Sequence, residues 1–313
     1  MNAILEKRLH GKQLIGLLAV FACIVAMSTT VMAEEKPPAG KSDGTFTVTD
    51  SESTLKLTAA ERDLDAIKAR GTLVVAMKCG RNDPYFYVGD NGQLIGFDVD
   101  LAKEIAKALG VKLEINRSFE TFGSTAEAVA AGIADVAISN LTRTPKRQEI
   151  VDFTEPYVVG RLIVLMDLNK AGEAINGEIG GASDFNRPEI KIAFEEGSSY
   201  AEDMVEHFPK ATGVKYLNQP GKGRLAAILN GDAHGLIQDN ITMARDVADH
   251  PGILVKDGGR FTEVVVPRSE DPICIAMAKN TPNLMKAIKE VLEKMEVVEP
   301  SSLLKKYPAP KNN

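Results

Sequence analysis

The chain repeats one order of secondary-structure signals, and this repeat limits its possible folds more than any other feature. An apolar run, "LVVAM" at 73–77, is followed by a loop, a helical pattern and the strand-like "VKLEI". A second apolar run, "IKIAF", is followed by the same order and ends in "VKYL". Further along, Asp239 follows Asn140 by 99 residues, and the glycines that end the preceding helical patterns have the same offset.

Two runs of alternating strands and helices predict an α/β protein with two lobes, each a mainly parallel sheet flanked by helices. Ligands of such sheets bind beyond the carboxyl ends of the strands. With two lobes, these strand ends can face each other across a cleft. We therefore expect a binding site between the lobes, built from residues that follow the strands.

The residues that follow two of the predicted strands are polar. "ADVAIS" opens into "NLTRTPKRQEIVDFTEPY" at 140–157, which offers hydroxyl groups and cations from Asn140 to Arg147. The matching exit in the second run, after "AHGLIQ", offers the carboxylate of Asp239. A buried strand does not need such an exit, so we interpret both as parts of the cleft.

The N-terminal residues have the pattern of a signal peptide at 1–33, because basic residues precede an apolar stretch at 14–27. We expect cleavage after Ala33 and export from the cytoplasm; the alternative is a retained N-terminal anchor. Residues 34–57 are polar and rich in Ser, Thr, Gly and Pro, which predicts a flexible leader to the fold.

Composition excludes several classes of function. The chain has 313 residues, a formal net charge of −6 and no basic runs, which argues against nucleic-acid binding. Export leaves Cys79 and Cys274, which either pair or remain free thiols, and sequence alone does not bring them together. The histidines lack the spacing of a metal site, so no metal is predicted; they are His10, His207, His234 and His250.

Several linked stretches resemble one family: "LDAIKARGTLVVAM", "GQLIGFDVDLAKEIAKALGVKLE", "DVAISNLTRTPKRQEIVDFTEPY", "EEGSSYAED" and "NGDAHGLIQD". From about Leu64 to Tyr307, the chain resembles the periplasmic solute-binding proteins of polar amino-acid ABC transporters (bacterial extracellular solute-binding protein family 3, type II periplasmic-binding fold). The resemblance implies two crossings between the lobes, near "VVGRLIVLM" and "TEVVVP", which form a hinge. It assigns residues 58–160 and 264–313 to lobe 1 and residues 161–263 to lobe 2.

The same resemblance implies a function. It describes a periplasmic, monomeric, non-enzymatic protein that closes its lobes around an amino acid or a related small polar solute. This protein would deliver its ligand to the membrane permease of an ABC transporter, with no cofactor.

The resemblance also implies how an amino-acid head group is held. Arg147 would bind the α-carboxylate, because a guanidinium matches two carboxylate oxygens. Thr142 would contact the head group, and the carbonyl of Asn140 would accept from the α-ammonium. Asp239 would hold the ammonium from the second lobe; the alternative is that it caps the helix beginning at "NITMARDVA".

Other residues are expected around the ligand. Ser198 and Ser199 follow a glycine at a predicted helix start, where free N–H groups favour an anionic ligand, although plain N-capping explains them too. Phe122 matches an aromatic residue that walls the pocket in the family.

The stretch "KCGRNDPYFYVGDNG" departs from the family pattern, because it lacks an aromatic residue near Asn82. Asn82, Arg81 or Asp83 is expected to bond a polar ligand side chain, and Glu195 and Glu196 to favour a positive one. Their alternative is an ordinary solvated loop.

Other functions stay open. The turn "GKGRLA" at 221–226 nearly fits a dinucleotide fingerprint, but Asn, Gln and Pro separate it from its strand. Exported dehydratases resemble this family, and such an enzyme would need a general acid, for which Glu196 is the candidate. A third alternative is a solute receptor for a separate membrane sensor.

Overall fold

The computed structural model describes residues 46–50, 57–216, 224–250, 252–253, 261–267, 269–295 and 300–308. The predicted signal peptide at 1–33 and most of the predicted leader at 34–57 lie outside these ranges. Within them, no helix combines the length and the apolar composition that a membrane span requires.

The first part of the chain packs helices against a sheet. Its helices are α1 (Leu64–Arg70), α2 (Phe97–Leu109), α3 (Phe122–Ala130) and α4 (Pro145–Gln148), after a 3-10 turn at Ala60–Arg62. Its strands are β1 (Phe46–Thr49), β2 (Thr72–Lys78), β3 (Tyr87–Val88), β4 (Leu94–Ile95), β5 (Lys112–Phe119), β6 (Val136–Ala137), β7 (Asp152–Phe153) and β8 (Val158–Gly160).

The middle of the chain forms a second α/β unit, and the chain then returns to the first. The second unit contains β9 (Leu162–Asp167), α5 (Leu168–Ile175), a 3-10 turn at Ala182–Phe185, β10 (Lys191–Glu195), α6 (Tyr200–His207), β11 (Thr212–Tyr216), α7 (Ala226–Leu229), β12 (Gly235–Asp239), α8 (Asn240–Asp249) and β13 (Phe261–Val265). The returning segment contains β14 (Asp271–Ile273), β15 (Ala276–Met277), α9 (Pro282–Leu292) and α10 (Pro300–Lys306).

Each unit has its own sheet, so the predicted two-lobed α/β fold is confirmed. The sheet of lobe 1 has the order β1-β5-β2-β6-β15-β7, and its first four strands are parallel. The sheet of lobe 2 has the order β11-β10-β12-β9-β13, with β11, β10 and β12 parallel. The antiparallel strands β9, β13 and β15 all adjoin a crossing between the lobes.

The lobes are joined by a two-stranded antiparallel pair, in which β8 pairs with β14. β8 belongs to the segment near which the resemblance implies the first crossing. β13, near the second implied crossing, remains paired with β9 as far as Val265. The apolar residues of α9 and α10 then pack into the core of lobe 1, where Leu284, Ile288, Leu303 and Tyr307 are buried.

Hydrogen bonds and a glycine mark both ends of α1. Thr58 and Glu61 form reciprocal hydrogen bonds that close the preceding 3-10 turn, and Asp63 caps the α-helix itself. Gly71 ends α1 in the left-handed conformation, with φ of 75°.

One strand was not expected. Residues Phe46–Thr49 lie in the predicted leader, yet they form β1 and pair in parallel with β5 at the edge of the lobe 1 sheet. The run "FTVT" alternates apolar and polar residues, and Phe46 is buried in the core of lobe 1. The alternation is only four residues long, too short to stand out in a polar segment.

Candidate functional site

The exits of β6, β10 and β12 meet where the two lobes touch. Lobe 1 contributes the loop after β6 and the beginning of α3, and lobe 2 contributes the turn between β10 and α6. The backbone N–H of Gly123 in lobe 1 donates to the carbonyl oxygen of Gly197 in lobe 2 at 2.9 Å. The structure therefore brings together the strand exits from which the sequence predicts a cleft.

Arg147 lies at the centre of this interface. Thr144 caps α4 by accepting from the Arg147 N–H at 3.3 Å. The Arg147 guanidinium is buried and donates to carbonyl oxygens of both lobes, Thr142 at 2.8 Å and Gly197 at 3.1 Å. Burial lowers the pKa of Arg147 to about 10, and nearby acidic groups, Glu202 first, oppose the shift. The side chain therefore stays charged at neutral pH and keeps further N–H donors for a carboxylate.

Hydroxyl groups also connect the lobes. Ser199 Oγ donates to Thr142 Oγ1 at 3.1 Å, and Thr144 Oγ1 donates to Glu202 Oε1 at 3.0 Å. These residues flank Arg147, so the predicted head-group residues of lobe 1 face polar groups of lobe 2.

Ser198 and Ser199 play different roles at the start of α6. Ser198 Oγ closes its own turn, since it donates to the Glu195 carbonyl oxygen at 2.5 Å and accepts from the Tyr200 N–H at 3.3 Å. Ser199 occupies the N-cap position, but its side chain makes no capping bond and instead reaches Thr142. Plain N-capping therefore does not explain Ser199.

Asn140 is held in a left-handed turn, with φ of 46°. Its backbone N–H donates to Asp98 Oδ2 at 2.5 Å, and the Tyr157 hydroxyl donates to Asp98 Oδ1 at 2.9 Å. Burial raises the pKa of Asp98 to about 7 despite both hydrogen bonds. Asp98 lies in the first turn of α2, whose N-cap is Gly96, and its carboxylate fixes the turn at Asn140.

Asp239 is buried at the end of β12 and does cap a helix. Its Oδ1 accepts from the N–H groups of Ile241 and Thr242 at 2.9 and 2.8 Å. Its Oδ2 accepts from the Tyr200 hydroxyl at 3.2 Å. The capping alternative is therefore present in the structure, and contact with an ammonium stays a prediction.

A buried ion pair crosses the interface beside Phe122. Lys78 Nζ lies 2.8 Å from Glu195 Oε1, with side-chain exposures of 1% and 5%, and Nζ lies 5.0 Å from the centre of the Phe122 ring. Glu196, named from the sequence as a site residue, is instead exposed and lies 3.8 Å from Lys215. β10 ends at Glu195, whereas Glu196 already lies in the turn that follows, and this separates the two glutamates.

Asn82 also lies at the interface, where it faces an arginine of lobe 2. Arg224 makes a two-pronged contact with Asp246 at 2.8 and 2.7 Å, and its Nη1 donates to Asn82 Oδ1 at 3.3 Å. Neighbouring charges extend this contact: Arg81 lies 2.7 Å from Asp249, and Asp83 lies 3.4 Å from Arg245. The loop that departs from the family pattern is thus a charged contact between the lobes.

Four residues of the interface were not predicted from the sequence: Lys78, Tyr200, Arg224 and Asp271. Asp271 is buried at the start of β14. Lys78 was detectable, because it is the final residue of β2 and so occupies a strand exit. The others carry no such signal, since a lone Tyr, Arg or Asp is usually structural or solvated.

No metal site is evident in the described part of the chain, where no group of three or more His, Cys, Asp or Glu residues can hold an ion. Cys79 and Cys274 form no disulfide. Burial raises the pKa of the Cys274 thiol to about 12, so it stays protonated. Residues 221–223 of the glycine-rich turn lie outside the described ranges.

Comparisons with known proteins show which family the chain is similar to. The model of the family "Bacterial extracellular solute-binding proteins, family 3" matches residues 73–307. The chain is 27% identical over 242 residues to the L-cystine-binding protein TcyJ of Escherichia coli, covering 77% of this chain and 84% of that protein. It is 25% identical over 271 residues to a glutamine-binding protein of Geobacillus stearothermophilus, covering 85% and 94%.

Among solved structures, the fold is similar to that of an ancestral amino acid-binding protein, AncCDT-1, described as a precursor of cyclohexadienyl dehydratase. The TM-score is 0.63 at 28% identity, and the match covers 78% of this chain and 98% of that one.

Proposed function

This chain belongs to the bacterial extracellular solute-binding proteins, family 3, and we propose that it captures an amino acid between its lobes and delivers it to the membrane permease of an ABC transporter. The proposal includes cleavage of the signal peptide after Ala33 and action in the periplasm as a monomer. Relatives named for cystine and glutamine binding support the ligand class.

The observation that carries the proposal is the position of Arg147. A buried guanidinium that donates to both lobes lies where an α-carboxylate can join the lobes through it. A planar guanidinium binds a carboxylate through two parallel hydrogen bonds, and burial strengthens each of them. A bound carboxylate would therefore add to the contacts that hold the lobes together and shift the protein further towards the closed state.

The groups around Arg147 fit the rest of an amino acid. The Asn140 carbonyl and Asp239 provide acceptors for the α-ammonium, and the hydroxyls of Thr142 and Ser199 accompany the carboxylate. The ligand side chain would then lie towards Phe122, beside the ion pair of Lys78 and Glu195, with Asn82 and its arginine partner forming the outer wall.

The position of Glu196 does not support the enzyme alternative, for which it was the candidate general acid. That alternative needed Glu196 in the cleft, and this side chain is half exposed and lies beside Lys215 instead. We therefore propose binding without catalysis.

The test is a thermal-shift screen of the mature protein against the common amino acids, followed by calorimetric titration of each that stabilises it. A ligand at 100 times its dissociation constant stabilises by about 2.7 kcal/mol. Arg147→Ala should remove binding, because a buried carboxylate would lose its charged partner. Arg143→Ala is the matched control, since Arg143 lies on the same loop but 3.8 Å from an exposed Glu155. No shift with any amino acid would refute the proposal.

A further inference from the structure

Asp271 is a buried carboxylate beside the proposed head-group site. It begins β14, the returning hinge strand, and is 2% exposed. Thr142, which itself accepts from Ser199, hydrogen-bonds to this carboxylate, but Asp271 Oδ1 has no hydrogen-bond partner among the described residues. A buried acceptor without a partner is costly, so it calls for a donor.

Asp271 and Asp239 come together across the hinge. A Cβ atom placed on Gly160 of β8 would lie 3.6 Å from the Asp271 Cβ and 3.8 Å from the Asp239 Cβ. The two carboxylates belong to different segments of the chain, and the pairing of β8 with β14 brings them to one place. The negative charge of Asp239 disfavours ionisation of Asp271.

The buried hydroxyl of Tyr85 lies close enough to Asp239 and Asp271 to be affected by their charges. Tyr85 is fully buried, its hydroxyl has no partner among the described residues, and the charges of Asp239, Asp271 and Asp98 all act on it. Asn140 Oδ1 is a further buried acceptor without a described partner. One buried hydroxyl and two buried acceptors are thus without a described partner.

The charges around Asp271 are unbalanced. The groups that interact with it are Arg147 from α4, Tyr200 and Asp203 from α6, Asp239 from β12, Tyr85 from the loop after β2, and Cys274 from its own segment. Arg147 is the cation of this set, and in the proposed complex the α-carboxylate of the ligand neutralises it. The carboxylates of this set are then without an opposite charge, which a second cation would supply.

Asp239 alone is poorly suited to that cation. Its Oδ1 already accepts two N–H groups of α8, and its Oδ2 accepts the Tyr200 hydroxyl. Asp271 Oδ1, by contrast, is an unused acceptor.

We propose that Asp271 is a ligand-binding residue: its Oδ1 accepts a hydrogen bond from the ammonium of the bound amino acid, and this ammonium displaces to solvent a proton that Asp271 holds in the free protein. The inference rests on the proposed function and adds to it a second acidic residue and a released proton. Burial first, and then the charge of Asp239, raise the pKa of Asp271 to about 7, which fits a proton held near neutrality.

Displacement of a proton makes affinity depend on pH. Below the pKa of Asp271 the ammonium must compete with the proton, so the dissociation constant should rise about tenfold for each pH unit and about 100-fold between pH 8 and pH 5. The charges of an amino-acid head group do not change in this range, so the dependence comes from the protein.

The experiment is calorimetric titration of the folded mature protein with L-arginine and L-glutamine at pH 5 and pH 8. Titrations at pH 7 in two buffers of different ionisation enthalpy count the protons released. Wild type should release about half a proton at pH 7. Asp271→Asn should release none, bind at least tenfold more weakly at pH 8, and match wild type at pH 5, where Asp271 is already neutral.

Asp203→Asn is the matched control, because burial also raises the pKa of Asp203 to about 7 and this residue lies on α6 rather than at the hinge. Proton release should persist in this variant. The inference is overturned if Asp271→Asn still releases a proton on binding, or if it binds as tightly as wild type at pH 8. Either result leaves the proposed function intact. If wild type binds no amino acid, both fall. A wild-type affinity that does not change between pH 5 and pH 8 also overturns the inference, so it can be refuted even if Asp271→Asn fails to fold.

Discussion

The buried pair of Lys78 and Glu195 should control how firmly the lobes stay together. Glu195→Gln keeps the shape of the side chain but leaves Lys78 without an opposite charge. Removing one partner of a buried ion pair costs about 3 to 5 kcal/mol. Gln can still accept a hydrogen bond and the Phe122 ring lies 5.0 Å from Nζ, so we expect about 2 to 3 kcal/mol.

This cost acts only on the state in which the lobes are in contact. Opening returns Lys78 to water, so the lobes can separate without unfolding, and the stability of each lobe should change by less than about 1 kcal/mol. The closed state is the one that binds ligand tightly, so a variant that populates it less has a larger apparent dissociation constant. A cost of 2 to 3 kcal/mol corresponds to a dissociation constant about 30- to 160-fold larger.

Calorimetric titration with the best amino acid from the screen measures the affinity, and small-angle scattering without ligand measures the opening as a larger radius of gyration. Glu196→Gln is the matched control, because the neighbouring glutamate is exposed and outside the interface. Lys78→Met combined with Glu195→Leu should recover part of the contact, since apolar residues leave no buried charge. If folded Glu195→Gln binds within threefold of wild type, the reasoning is refuted.

Three further predictions follow from the same interface. Saturating ligand should lower the radius of gyration through closure at β8 and β14, and an unchanged radius would contradict hinge closure. Asp239→Asn should weaken binding at least tenfold; a lower melting temperature with affinity within threefold would make Asp239 a helix cap alone. Because burial raises the pKa of Asp98 to about 7, from an ordinary value near 4, the folded protein holds this proton more tightly than the unfolded chain. Stability from this group is therefore complete below about pH 4 and lost as pH rises towards 7, so urea unfolding of Asp98→Asn should show a smaller fall from pH 5 to pH 8 than wild type.

Local patterns accounted for most of the fold. Apolar runs predicted the parallel strands β2, β6, β10 and β12, because burial on both faces requires continuous apolar segments. The strands β5 and β11 were predicted from their place after a helical pattern, and β11 is an edge strand without a buried residue. The antiparallel strands beside the crossings were not predicted as such, since pairing direction depends on where the chain returns and not on composition.

The sequence by itself determined a two-lobed α/β protein and several polar groups at the strand ends, among them Arg147 and Asp239. The reason is that the end of a strand can be identified from consecutive residues, because an apolar run is followed there by polar or charged residues. Only the tertiary structure decided which groups meet. Glu195 rather than Glu196 reaches Lys78 because β10 ends at Glu195 and Glu196 lies in the following turn. Asp271 and Asp239 both lie beside Gly160 because the hinge brings together residues 32 positions apart. Such partners are set by packing between distant segments, which no local pattern records.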